Sequence, residues 1–361
     1  MIKVLDKYIF KSLIGPFFFG FFLFVTIIAI DPMINALQYV VNENTAFSVM
    51  FRWFLNRLPQ DMIFTFPMSV LLANLLVFGQ MSRGSETTAM RAGGINFYRI
   101  LVPVILFATV VTIGSYIFNE TVVPGSNARA KKIKRQEIMK LIEVECTENS
   151  ILRTSDGAFA YARKVYEKKG KMEQVLFEYY NSEGILLKRL SAAEANWNGK
   201  DWVLTNVVEQ DYEEKDKLAS PITHTEMILP HIDQKPADFA RESKRPTEMS
   251  YVELRDRIEA YERSQFMDTT EMRVGLAQKT SLPFASIFFA IIGASFGLTN
   301  SRSGAFIGFG VSIGIIFFYY VLMSFFTALG KSGYMPPLLS AWMQNIIFAF
   351  IGIHIVRKVN G

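Results

Sequence analysis

Cysteine occurs once in 361 residues, at Cys146, so no disulfide can close within the chain. Histidine occurs three times: His224 and His231 have no cysteine or carboxylate neighbours at metal-ligand spacing, and His354, near the C-terminal end, reads as an interfacial residue and not a ligand. No metal site and no cofactor is expected from this set. The chain holds no G-x-x-x-x-G-K-[ST], no G-x-S-x-G and no H-E-x-x-H. It therefore lacks the usual signatures of a nucleotide-binding loop, an activated serine or a zinc hydrolase. Charge is scarce as well, at 20% against about 25% in soluble proteins. Residues 273–361 contain no Asp or Glu at all. An ordinary soluble enzyme is excluded, and nothing in the sequence has the pattern of a catalytic residue.

What is present is apolar bulk, 50% hydrophobic residues with 32 Phe, concentrated in six runs without Asp, Glu, Lys or Arg. These are Ser12–Ile30, Met62–Ser82, Ile100–Asn119, Thr280–Ser301, Ser303–Gly330 and Ser332–Val356. About 20 helical residues cross a hydrocarbon core of about 30 Å, so six transmembrane helices are predicted. Between residues 125 and 271 there are 24 Lys and Arg against 27 Asp and Glu, a net of −3, which leaves +8 for the membrane parts. The basic balance belongs to membrane flanks and gives no reason to expect nucleic acid. The fold class is thus an α-helical six-span bundle in a 3+3 layout with a large insert. Expected boundaries are 1–124 for the first three spans, 125–272 for the insert and 273–361 for the last three.

Short loops set orientation, because Lys and Arg near helix ends stay in the cytoplasm while long domains translocate largely regardless of charge. With the N-terminus inside, the inner set is Lys3, Lys7, Lys11, Arg83, Arg91, Arg99, Arg302, Arg357 and Lys358, against Arg52, Arg57 and Lys331 in short outer loops. Both termini are expected inside and the insert outside. The first apolar run is too long for a signal peptide and has no A-x-A-like end. Asp31-Pro32 interrupts the first span, whose apolar pattern resumes through Val41, so a broken first helix is expected.

The insert reads as mostly β. Phe159 and Tyr161, then Val175, Phe177 and Tyr179, recur at period two, and Asn198-Gly199 between Trp197 and Trp202 signals a two-residue hairpin. Strands with turns at short intervals suggest a sandwich or jelly roll. Ser250 and Glu253 match a capping box ahead of Tyr251, Leu254, Ile258 and Tyr261, which predicts a helix feeding the fourth span. In the membrane, Gly293 and Gly297, then Gly304, Gly308, Gly310 and Gly314, give small-residue spacing suited to close packing in the bundle, a subunit interface or a gate.

Two segments stand out as candidate sites. In the loop Met81–Tyr98, Glu86 follows a candidate Ser85 N-cap, and Gly93 is placed to end the short helix with positive φ. The second is Arg129, Lys131, Lys132, Lys134 and Arg135, just outside the third span on the side where basic residues are unusual. A lipid carrying phosphates would account for it through charge-assisted hydrogen bonds, and a solvated basic helix is the plainer alternative.

An ordered set of strings runs through the chain: Leu5-Asp6-Lys7-Tyr8-Ile9; Leu58-Pro59-Gln60-Asp61 before Phe66-Pro67-Met68; Ser85-Glu86 before Met90-Arg91-Ala92-Gly93-Gly94; and Pro124 after the third span. In this combination the chain resembles the LptF/LptG family of lipopolysaccharide export permeases, and its opening and Pro-Gln-Asp element look closer to the LptG branch. The likeness covers essentially the whole chain. It implies an inner-membrane protein whose insert is a periplasmic β-jellyroll-like domain. It also implies pairing with a second permease subunit, identical or paralogous, and a cytoplasmic ABC ATPase dimer as motor, which fits the missing nucleotide loop. Lipopolysaccharide would pass from the membrane to periplasmic jellyroll bridge proteins. The resemblance places Ser85, Glu86, Met90, Arg91 and Gly93 in an ATPase-coupling helix near 82–94 and matches Lys132 and Arg135 to substrate-contacting positions. In the family the gate lies between spans one and five of opposite subunits. One departure is that Pro32, Asn35, Gln38 and Gln60 stand where the LptG branch commonly has lysines nearby. Phosphate recognition is then expected to lean on Arg52, Arg57, Arg129, Lys132, Arg135, Arg273 and Lys279. Rival readings at this point are a permease for another envelope lipid or lipoprotein, and a membrane-anchored scaffold or sensor that transports nothing.

Overall fold

A computed structural model of the chain describes all residues except 1–3, 44, 140–145, 155, 182–184, 214–216, 219, 230–231, 233, 237–245, 264–268, 300–304 and 361. Two compact units emerge, Met1–Met139 with Arg245–Gly361, and Lys140–Lys244. Among the described residues, six helices are long and apolar enough to cross a membrane, as the six charge-free runs predict.

The first unit is helical: α1 (Val4–Ile28), α2 (Ile30–Glu43), α3 (Phe47–Arg83), α4 (Glu86–Ala92), α5 (Phe97–Thr121) and α6 (Val123–Ile133), continued by a π-helical turn at Lys134–Ile138. After the strand unit come α7 (Tyr251–Arg263), α8 (Thr270–Thr299), α9 (Ala305–Lys331) and α10 (Pro337–Asn360). The break between α1 and α2 falls at Ala29, one turn before Pro32. Pro32 has no N–H for the carbonyl of Ile28 and its ring crowds that carbonyl, so the helix gives way there.

α3 lies at the centre, packed against α8 and α1. It approaches α8 tightly at two glycines. A Cβ at Gly293 would stand 2.9 Å from Asn74 Cβ and from the Leu71 carbonyl oxygen; one at Gly297 would stand 2.8 Å from Phe78 Cβ and 3.2 Å from the Gly79 nitrogen. Lipid supplies no hydrophobic drive between helices, so contact of backbone with backbone supplies the packing. Gly297→Ala is expected to destabilise the protein by about 1–3 kcal/mol through overpacking. Thermal unfolding in nanodiscs checks this, and an unchanged melting temperature would contradict the contact.

Gly308, Gly310 and Gly314 behave differently, since a Cβ at any of them meets nothing within 4 Å. Among the described residues nothing packs on them; Gly304 lies outside the described residues. The outer faces of α9 and α1 carry exposed Phe317, Phe318 and Phe325, and Phe18, Phe19 and Phe22. α9 is joined to its own bundle by polar side chains. Tyr319 donates to Asn345 Oδ1 (2.8 Å), Asn345 Nδ2 donates to the Ser281 carbonyl (2.7 Å), and Tyr320 donates to the Phe64 carbonyl (3.0 Å).

α6 and α7, which the sequence reading assigns to the insert at 125–272, pack with the helices. Ala130 and Ile138 join Ala36, Met50 and Trp53 in one cluster; Leu254 and Ile258 join Met249, Met272 and Leu276 in another. Ser250 caps α7 through its hydroxyl, which accepts from the Glu253 N–H at 3.1 Å.

The second unit is an antiparallel meander: β1 (Cys146–Arg153), β2 (Phe159–Tyr166), β3 (Lys171–Tyr180), β4 (Leu186–Trp197), β5 (Trp202–Glu213), the two-residue β6 (Lys217–Leu218) and β7 (Ile222–Leu229). Neighbours follow chain order through β6, with β7 also paired to β5. The Trp197↔Trp202 pair closes the β4–β5 hairpin around a four-residue loop, not two. Asn198 builds it with its side chain, accepting from the N–H groups of Lys200 and Asp201, while Gly199 takes φ +102°.

A transverse crease crosses this sheet. Pairing is interrupted in one row, where Arg163, Gln174, Ala193 and Asn206 would stand side by side. Gln174 and Asn206 have positive φ (50° and 54°). The buried alternation also changes parity at this row: Ala160 and Ala162 give way to Val165, Phe177 and Val175 to Met172, Leu190 and Ala192 to Ala195, and Val207 to Leu204 and Trp202. Residues from both flanks share one core cluster, so the crease keeps the same face inward on either side of it. At the margin of the buried face, where Glu209 stands opposite Leu190 and His224 opposite Val207, Glu209 accepts from Lys188 and from His224, and these bonds, Lys188 first, hold its carboxyl below the usual range.

Candidate functional site

The basic segment lies on the helical extension of the third span. Pro124 at the start of α6 fits a first-turn position, where its missing N–H costs nothing. Ala130 and Ile138 face inward onto Trp53 and Met50 of α3. The alternate faces then point outward, and Arg129 and Lys132 are exposed while Lys131, Lys134 and Arg135 are half-buried. Lys131 pairs with Glu248 (3.5 Å), and Lys134 sits 5.4 Å over the Tyr39 ring, which meets Trp53 edge-on. The same packing brings Arg52 to the segment, where its guanidinium contacts Glu137 at 2.5 Å. Arg52, on α3, and the cluster, some eighty residues later, thus form one rim. A π-helical turn inside such a rim is a common accompaniment of function.

Two other predicted cations are held by carboxylates. Arg57 pairs with Asp61 one turn away (3.3 Å). Lys279 is buried, its side chain 7% exposed, 3.6 Å from Glu120 Oε1. Glu120 Oε2 accepts from the Tyr251 N–H at 2.7 Å, the first residue of α7. One carboxylate therefore joins the end of the third span, the fourth span and the helix leading into it. Glu120 carries no sequence signal beyond being an acid at a span end, and its role became visible only in three dimensions.

The loop helix α4 lies at the other end of α3. From Arg52 to Arg83 that helix rises about 46 Å, so rim and loop are separated by a membrane's thickness. Its capping differs from the sequence expectation at both ends. Ser85 has left-handed backbone (φ 58°) and its side chain caps nothing. It ends α3 instead, its N–H bonding the Ser82 carbonyl (3.1 Å). At the far end Gly93 has φ −76°, and the left-handed residue is Gly94 (φ +79°). Ile95 N–H bonds the Met90 carbonyl and Gly94 N–H the Arg91 carbonyl, each at 3.0 Å, which is a Schellman termination.

Side chains fix α4 in place. Thr87 is buried and Met90 packs on the main helical core. Glu86 Oε2 accepts from the Tyr8 hydroxyl of α1 (2.8 Å), and Arg91 Nη2 donates to the Val359 carbonyl near the end of α10 (2.9 Å). Beside them Arg99 grips Asp6 with its two terminal guanidinium nitrogens, Nη1 on Oδ1 and Nη2 on Oδ2 (2.6 and 2.7 Å). A polar, partly exposed helix tied to two spans has the form of a docking lever, and the rim opposite has the form of an anion-binding edge. No group of three or more His, Cys, Asp or Glu able to hold a metal occurs among the described residues.

Comparison with known proteins agrees with this layout. Residues 7–358 match the family described as lipopolysaccharide export system permease LptF/LptG. The chain is also 22% identical over 360 residues, 96% of each sequence, to the lipopolysaccharide export system permease protein LptG of Haemophilus influenzae (strain KW20 Rd).

Proposed function

Because the chain belongs to the LptF/LptG family of lipopolysaccharide export permeases, we propose that it is the LptG-like half of a two-subunit permease driven by a separate cytoplasmic ATPase dimer. As a family member it is a multi-pass inner-membrane permease subunit of lipopolysaccharide export, and the LptG relative matches it end to end. In the proposal both termini and α4 face the cytoplasm, and the strand unit stands in the periplasm beside jellyroll bridge proteins. Ser85, Glu86, Met90, Arg91 and Gly93 belong to the segment that the ATPase engages. The open faces of α1 and α9, with the unpacked Gly308, Gly310 and Gly314, meet the second permease subunit and form its gate.

The observation that carries this reading is the placement of the basic rim and the loop helix at opposite ends of α3. The rim receives lipid phosphates through Arg129, Lys132, Arg135 and Arg52. Arg57, half-buried, joins the path by exchanging Asp61 for lipid phosphate. Charge reversal of Lys132 and Arg135 to Glu should lower lipopolysaccharide photocrosslinking to the rim about fivefold or more, since bonds to ionised groups are the strong ones. Crosslinking at the parental level would reduce the rim to a solvated helix.

A further inference from the structure

We infer that Tyr8 is a positioning residue that aims Glu86 at the motor, so that the cytoplasmic turn of the first span sets how the loop helix engages. This deepens the docking role proposed for α4 and rests on it. α4 begins without a side-chain cap, because Ser85 is spent in left-handed conformation on ending α3. Among the described residues, no backbone N–H of the loop bonds the Glu86 carboxylate. The hydroxyl that does so comes from 78 residues away, at 2.8 Å, and occupies only Oε2. A carboxylate accepts several hydrogen bonds, so a cation of the ATPase subunit can be received while Tyr8 stays in place.

Tyr8 is itself held. Two residues earlier Asp6, 8% exposed, is gripped by Arg99 at the start of the third span. The opposite end of α4 is tied to α10 through Arg91 and the Val359 carbonyl. Any shift of α1, a helix with one face open along most of its length, is thereby passed to the Glu86 carboxylate through the Tyr8 hydroxyl while the far end of α4 stays anchored.

The test uses the assembled complex of both permease subunits and the ATPase dimer in proteoliposomes loaded with lipopolysaccharide. Tyr8→Phe keeps the ring and deletes the hydroxyl. It should leave the melting temperature and ATPase co-purification at the parental level while lowering lipid released per ATP hydrolysed about threefold. In a Glu86→Gln background the same substitution should add nothing, because the two groups act as one unit. If Tyr8→Phe is silent, or its effect multiplies with that of Glu86→Gln, while Glu86→Gln alone is defective, the Tyr8 inference fails and the docking role of α4 stands. If Glu86→Gln alone retains full co-purification and transport, the docking role fails and the Tyr8 inference falls with it.

Discussion

Replacing Glu120 with alanine should destabilise the helical unit by about 3–5 kcal/mol, the largest effect expected of any single polar change outside the loop. The cause is the cation left behind. Lys279 is 7% exposed and Glu120, at 3.6 Å, is its ion-pair partner among the described residues. Without that carboxylate an ammonium stays in a dry site, and the Tyr251 N–H at the start of α7 loses its acceptor as well. The double variant Glu120→Ala, Lys279→Met removes both charges and should recover most of the loss, because an apolar pair of similar volume costs little. Thermal unfolding of the four members of this cycle in nanodiscs decides it. Equal stability of Glu120→Ala and the parent, or a double variant no better than the single, would show that the pair is not the joint described.

Glu86→Lys should lower ATP-dependent lipid release tenfold or more. The substitution turns an acceptor into a donor opposite the Tyr8 hydroxyl and puts a second cation on the helix that already carries Arg91. It also places positive charge in the first turn of α4, where the helix dipole disfavours it. An interface whose partner group expects a carboxylate is penalised by several kcal/mol when the sign is reversed. Co-purification of the ATPase subunit and release from proteoliposomes should fall together. Parental values in both would remove α4 from the motor interface.

The helical architecture is legible in the sequence because charge-free length is a strict physical requirement of the bilayer. The break at Pro32 is legible for a similar reason, since a missing N–H has one local consequence. The loop helix was legible as a helix but not in its ends. Ser85 and Gly93 are good capping residues by type, yet the backbone uses Ser85 to finish α3 and leaves the left-handed turn to Gly94. Type alone does not say which of two adjoining helices a residue serves. The rim was legible as a basic run, whereas Arg52 beside Glu137 and Lys279 against Glu120 join residues 85 and 159 positions apart, which no local pattern encodes. In the sheet, period-two reading finds Val175 and Phe177 on one face but stops short, because the alternation reverses at Gln174.

That reversal has a mechanical consequence. A plate folded along a straight line is stiff against bending about any axis that crosses the fold and yields only about the fold itself. The ladders are paired on either flank of the row of Arg163, Gln174, Ala193 and Asn206 and interrupted within it, so under load this row is where the sheet would yield first. The line survives only while every strand keeps its place in the row. A one-residue insertion in β3 alone would carry Gln174 out of line with Asn206 and turn the apolar side chains of β3 on one flank to water. Changes in strand length across this sheet are therefore tolerated at the loops and not between the crease and the core.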